Sequence, residues 1–282
     1  MKNTIISDKT FDEERALYHL CDAGVQGCEF SGPADGESAL KEVRDVEISD
    51  CRFLLRYPLW HAGSFKLSNS FMDVTARAAL WYARDGLIEN CTLNGIKCLR
   101  ECDNIELSGC KASSVEFGWK CRGLTISNCE MESEYFLLES EDIHIDRLRM
   151  KGKYSFQYTR NMTIENSELD TKDAFWHSFN TTVRDSVVKG EYLGWYSEGL
   201  TLINCKIIGT QPLCYCKNLT LINCTMEETD LSFECSDVKA DIKGGILSVK
   251  NPRSGSIVAD EIGELIFADA VMETDCEVKV RK

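Results

Sequence analysis

The sequence predicts an all-β fold, a single-stranded right-handed parallel β-helix wound in coils of roughly 19 residues. Three observations predict it. Cysteines recur at a fixed interval, apolar residues alternate between them, and turn-forming Asn, Asp and Gly return at constant phases of that interval.

Cys91, Cys110 and Cys129 stand 19 residues apart. Extended in both directions, the period falls on Cys51, Ser70, Leu148, Ser167, Ser186, Cys205, Cys224 and Lys243, with one 21-residue step between Ser70 and Cys91. A small side chain at a constant phase points to an inward ladder. The thiols are therefore expected to be reduced, buried and unreactive.

Around the ladder, Leu124, Ile126, Asn128, Cys129 and Met131 return as Leu200, Leu202, Asn204, Cys205 and Ile207, and again as Leu219, Leu221, Asn223, Cys224 and Met226. The alternation marks strands. Its phase changes at Asn128, Asn166, Asn204 and Asn223, where the chain must turn and where Asn tolerates left-handed backbone angles. A second corner is expected at Gly152, Gly190 and Gly209. A third is expected at Asp85, Asn104, Gly123, Asp142, Asn161, Asn180, Gly199 and Asn218. Three corners per coil imply three short strands, each paired with its equivalent one coil away.

The pattern reaches the N-terminal region, where Leu17, Tyr18, His19 and Asp22 align with Leu59, Trp60, His61 and Ser64, and Cys28 takes the ladder phase. Residues 32–37 form an inserted loop. Towards the C-terminus the repeat degrades at Val238, Ile242 and Ile257, and the charges of residues 277–282 would guard an open sheet edge. Residues 1–282 read as one solenoid domain. Hexapeptide and pentapeptide solenoids lack the required sub-periods, and the handedness of parallel crossovers favours the right-handed form.

Composition excludes some partners. A net charge of −14 and a pI near 4.8, without a Lys/Arg stripe, argue against nucleic acid and against an anionic membrane surface. No window has the apolar length of a membrane span or a signal peptide, and fifteen cysteines, an odd number, do not form a complete disulfide framework. A cytoplasmic protein with reduced thiols is expected. Oligomeric state is not legible.

The segments Thr171-Lys-Asp-Ala-Phe-Trp-His177, Gly190-Glu-Tyr-Leu-Gly-Trp-Tyr196 and Gly209-Thr-Gln-Pro-Leu-Cys-Tyr-Cys216 resemble an uncharacterised bacterial family, a domain of unknown function with a β-helix fold. The resemblance covers nearly the whole chain and implies the fold without an activity. More distantly the architecture is similar to pectate-lyase-like, or pectin-lyase-like, enzymes. The Gly-Asp-Asp and Gly-His-Gly segments of the pectin-degrading hydrolases are absent, as is an aspartate cluster resembling the lyases' calcium site. That resemblance implies only a weak leaning towards carbohydrate.

Chemistry is sought in the strand before the third corner. All five tryptophans, Trp60, Trp81, Trp119, Trp176 and Trp195, share one column there, two residues before Ala62, Ala83, Cys102, Cys121, Ser140, Thr159, Ser178, Ser197, Cys216 and Cys235. Both columns are read as inward. Strict alternation then turns outward Tyr135, Tyr154, Asp173 and Tyr192; Leu137, Phe156 and Phe175; and Glu139, Tyr158, His177, Tyr196 and Tyr215. Lys153, Lys172 and Glu191 flank this surface on one side and Arg160 on the other.

The ligand-binding residues expected from this reading are Tyr154, Tyr158, Phe175, Tyr192, Tyr196, Lys153, Lys172, Arg160 and Glu191. His177 and Asp173 are the candidates for proton transfer. Four residues along a strand separate Asp173 and His177 by about 13 Å, so they form no dyad. No cofactor and no metal is expected: His61 and His177 lie about 29 Å apart at sheet spacing, and Cys214, Cys216 and Cys235 lack a fourth ligand at structural-zinc spacing.

Two function classes follow. One is a β-helix that binds a carbohydrate-like ligand, with hydrolase or lyase activity as an extension. The other is an intracellular protein-interaction scaffold without catalysis. Stacked aromatics that only stabilise the sheet are the structural counterpart of both.

Overall fold

The computed structural model describes residues 2–32 and 37–282. Residues 33–36 of the expected inserted loop lie outside the described residues. Two compact units, residues 1–144 and 145–282, each form a parallel β-solenoid. Every β-pairing named below is parallel.

In the first unit the strands Arg44–Ser49, Gly63–Ser68, Arg84–Glu89, Asp103–Ser108 and Arg122–Ser127 stack in register. Gly86 pairs with Phe65 on one side and Ile105 on the other, reproducing the 21- and 19-residue steps of the sequence. In the second unit Arg160–Glu165, Phe179–Arg184 and Glu198–Ile203 stack in the same way. Inward and outward residues alternate along each strand. Val46, Ile48, Ile105, Leu107, Val183 and Leu202, for example, are all 2% exposed or less.

The corners lie where the sequence puts them. Asn128, Asn166, Asn204 and Asn223 take φ between 51° and 55°, and the third-corner residues Asp85, Asn104, Asp142, Asn161, Asn180 and Asn218 between 51° and 57°. Asn and Asp bear this conformation best among residues with a side chain. They also stitch coils together: Asn223 Nδ2 donates to Asn204 Oδ1 at 2.7 Å, and Asn204 Nδ2 to Asp185 Oδ1 at 2.8 Å. At the second corner a Cβ on Gly190 would stand 2.4 Å from the Thr171 carbonyl oxygen, so only glycine lets the coils close up there.

The ladder is buried, and all fifteen cysteines are free thiols. Its side chains do more than fill space. Several of its Cys and Ser side chains offer an acceptor to the backbone N–H of the preceding ladder residue: Ser70 N–H to Cys91 Sγ at 3.5 Å, Cys110 N–H to Cys129 Sγ at 3.4 Å, Leu148 N–H to Ser167 Oγ at 3.0 Å. A buried N–H needs a partner, and a small side chain with a lone pair supplies one, which is why Cys and Ser interchange here. Burial pushes the Cys51 thiol up to about 12, leaving little thiolate to react.

Two positions at the degraded C-terminal end are corrected. Ile242, not Lys243, pairs with Cys224, because the register shifts after Leu221, and Lys243 faces solvent. Ser236, not Cys235, continues the small column, since Cys216 N–H donates to Ser236 Oγ at 2.9 Å.

The third side of the coil departs from expectation. Only short strands, Leu80–Trp81 and Leu99–Arg100, form there. Elsewhere the segment is a run of turns whose alternate residues have positive φ: Tyr154, Phe156 and Tyr158 at 59°, 61° and 56°, then Asp173, Phe175 and His177 at 54°, 63° and 54°. Left-handed angles cost non-glycine residues roughly 1–2 kcal/mol each. Contacts with the neighbouring coil offset that cost: Tyr158 N–H donates to Trp176 O at 2.9 Å, His177 N–H to Trp195 O at 3.0 Å, and Phe175 N–H back to Ser155 O at 3.0 Å.

Candidate functional site

Left-handed angles at alternate residues abolish the strict in–out alternation of a strand. Ala174 and Phe175 both point inward, whereas Trp176 is half-buried and His177 exposed. Three expectations change with it. The middle column is core: Leu137, Phe156 and Phe175 are 1% exposed or less, and Phe156 and Phe175 stack at 5.0 Å. The tryptophans are not inward; Trp60, Trp81, Trp119, Trp176 and Trp195 all reach the surface. Asp173 is buried, 5% exposed, so it does not share a face with His177.

What remains outside in the second unit is a narrow aromatic strip. Tyr158, His177, Tyr196 and Tyr215 stack face to face at 4.9, 5.1 and 4.9 Å with planes within 14° of parallel. Beside them Trp176 and Trp195 stack at 5.5 Å. Their indole N–H groups donate to the Tyr192 and Gln211 carbonyls at 2.6 and 2.8 Å. Tyr192 stands edge-on to Trp195. Tyr158 and Tyr196 are about half exposed.

Because each ring covers its neighbour's face, solvent meets ring edges, a row of phenol hydroxyls and imidazole nitrogens repeating once per coil. The flanking charges pair among themselves and with the rings. Lys172 Nζ bonds Glu191 at 2.6 Å and lies 5.3 Å from the Tyr192 centroid, Lys153 lies 5.4 Å from that of Tyr154, and Arg160 lies over Phe179.

Burial raises the Asp173 carboxyl above its ordinary value, with Lys172 opposing and Glu191 adding to the shift. A carboxyl whose folded pKa is raised stabilises below its unfolded pKa, and that stability is lost as pH rises through the folded value. Asp173→Asn is therefore expected to stabilise the protein at neutral pH. The gain should shrink to nothing as pH falls below about 3.9, the ordinary carboxylate value. Denaturation of both proteins across that range measures it, and an unchanged difference at low pH would contradict the sign.

The first unit carries a second strip that sequence reasoning missed. Lys41 lies 4.3 Å from the Trp60 ring, Trp60 stacks on Trp81 at 6.0 Å, and Arg100 is held between Trp81 and Trp119, 4.9 and 4.4 Å from their centroids. His61 stacks on Tyr82 at 4.9 Å. The signal in the sequence is that Lys41 and Arg100 stand in the tryptophan column. Cations between indole faces are attracted by the ring quadrupole. Among the described residues no group of three or more His, Cys, Asp or Glu is arranged to hold a metal ion.

The model of a family described as Protein of unknown function (DUF3737) matches residues 4–279. The chain belongs to this family. No curated protein matches it. Among solved structures, tailspike protein 3 of bacteriophage CBA120 is similar over 99% of this chain and 51% of its own, at 10% identity and a TM-score of 0.38. The Dettilon tailspike protein is similar over 97% and 61%, at 8% identity and a TM-score of 0.40. A periplasmic alginate epimerase is similar over 94% and 77%, at 10% identity and a TM-score of 0.36. The chain thus spans from about half to three-fifths of the length of the two tailspikes. For this DUF3737 chain the strips themselves are the functional evidence.

Proposed function

We propose that the chain binds a carbohydrate-like ligand along the aromatic strip of the second unit, in the cytoplasm, as a binding protein first. One observation carries the reading: Tyr158, His177, Tyr196 and Tyr215 present their polar ring edges once every 4.9–5.1 Å. That interval is close to the length of one sugar ring, so successive sugars of a chain lying along the strip would each meet an equivalent hydroxyl or imidazole edge. Tyr154, Tyr192, Lys153, Lys172, Glu191 and Arg160 form its borders. Phe175 supports it from beneath. Affinity comes from hydrogen bonding to ring edges and apolar contact with the indole margins rather than from sugars stacked on ring faces.

Hydrolase or lyase chemistry at the strip would fall to His177 at the surface, with Asp173, whose carboxyl burial makes harder to ionise, as the other candidate proton-transfer group. A protein partner is the second reading, favoured by Phe179, an aromatic 41% exposed beside the strip. Binding to a panel of immobilised glycans decides between them. Tyr158→Ala combined with Tyr196→Ala should abolish glycan binding while leaving the denaturation midpoint nearly unchanged. Absence of any glycan bound by the unaltered protein, or binding undiminished in the double variant, overturns the proposal.

A further inference from the structure

The aromatic row of the second unit has a fixed length. Tyr158, His177, Tyr196 and Tyr215 occupy one place on four successive coils, at intervals of 4.9, 5.1 and 4.9 Å. One period before Tyr158 the sequence carries Glu139. On the coil after Tyr215 the register has moved by one residue, as the Cys216 N–H bond to Ser236 Oγ shows, and the equivalent place falls to Cys235. Cys235 has the same left-handed backbone, with φ of 56° against 59° for Tyr215, but its thiol is buried and no fifth ring continues the stack. The row is also straight. Successive ring planes depart from parallel by only 9°, 8° and 14°, so the polar edges do not turn from coil to coil.

Each place in the row offers similar chemistry. Among the described residues no group bonds the Tyr158, Tyr196 or Tyr215 hydroxyl, whereas Tyr18 in the first unit donates its hydroxyl to Glu42 at 3.1 Å. Burial and then Glu234 raise the Tyr215 pKa, so that phenol keeps its proton. A phenol donates or accepts, and a neutral imidazole does one at each nitrogen. A sugar hydroxyl on either edge of its ring therefore finds a partner at every coil. On one side the row is bordered by the Trp176 and Trp195 indoles, whose N–H groups are already given to carbonyls at 2.6 and 2.8 Å, so their margins are apolar. On the other side stands Phe179, with Arg160 over it at 5.4 Å. The polar edges run in single file between these borders.

Resting on the carbohydrate reading above, we propose that the row takes an extended, unbranched glycan segment of four sugars, one per coil, and selects it by straightness and length rather than by the identity of a terminal sugar. In an extended chain such as a cello-oligosaccharide each sugar advances by nearly the interval of the rings, so successive sugars stay in register with successive coils. A coiled chain such as a malto-oligosaccharide turns away from a straight row after one or two contacts. A terminal sugar alone reaches one place of the four. Each hydrogen bond contributes modestly, so affinity accumulates with length and stops where the row ends.

Titration calorimetry with cello-, xylo- and manno-oligosaccharides of one to six sugars, against malto- and laminari-oligosaccharides of the same lengths, tests it. In an extended series the affinity should rise roughly three- to tenfold with each added sugar up to the tetrasaccharide and level off beyond it. The coiled malto- and laminari-series should gain little after the disaccharide. Tyr215→Phe keeps the ring and its stacking and removes one hydroxyl from the end of the row, so the series should level off at the trisaccharide. Tyr158→Phe should do the same from the other end, which a pocket closed around a terminal sugar would not. Tyr82→Phe in the first unit should leave the series unchanged. Affinity complete at the disaccharide, coiled chains bound as tightly as extended ones, or a levelling point unmoved in both end variants overturns this inference and leaves glycan binding in place. If no extended series binds, the inference falls; if the glycan panel is also blank, the carbohydrate reading falls with it.

Discussion

Phe175→Ala is expected to destabilise the protein by about 3–5 kcal/mol, the cost of emptying a well-packed aromatic site. Phe175 is 1% exposed and stacks on Phe156, itself fully buried, at 5.0 Å with planes 13° apart. Removing the ring deletes its transfer free energy and opens a cavity under the strip. It also withdraws one of the contacts that hold three left-handed residues, Asp173, Phe175 and His177, in place. Tyr158→Ala and Tyr196→Ala remove rings that are about half exposed, and each should cost far less. Chemical denaturation of the three variants is the measurement. Equal losses in all three would mean that the strip is core and would remove the ground for a ligand surface.

The second large effect concerns the ladder. Cys129→Val keeps the volume close to that of the thiol but removes the acceptor for the Cys110 N–H, which reaches Sγ at 3.4 Å. A buried backbone donor without a partner costs about 1–3 kcal/mol. Cys129→Ser restores an acceptor, and the equivalent bonds from Cys51 to Ser70 at 3.1 Å and from Ser167 to Ser186 at 3.0 Å show that a hydroxyl fits the position. Serine should therefore be tolerated better than valine, although valine is the more apolar residue. The reverse order in denaturation midpoints would reduce the ladder to packing alone.

Several parts of the fold were legible because they depend on local chemistry repeated at a fixed interval. Asn and Asp corners need left-handed angles that few other residues adopt. Gly190 must admit a carbonyl at its Cβ position, and the ladder needs a small side chain. Each requirement restricts residue type at one phase, so the phase shows in the sequence. Expectations failed at the C-terminal end, where the step from Cys224 is one residue short of the period and the step from Cys216 one residue long, so Ile242 and Ser236 take the places assigned to Lys243 and Cys235.

The amino-acid sequence by itself determined the period, the parallel pairing, the corners and which columns are small and buried. The tertiary structure decided which way the third side of each coil faces. Period-2 alternation holds only for extended backbone. Here Tyr154, Phe156 and Tyr158, and their equivalents, take positive φ, a state that Tyr and Phe do not favour and do not announce. Contacts between coils stabilise it. The same inter-coil contacts insert Arg100 between Trp81 and Trp119 and lay Arg44 across Gly63. Neighbours in those contacts are a full coil apart in the chain, so the sequence brings them to adjacent coils, and only packing sets how their side chains meet.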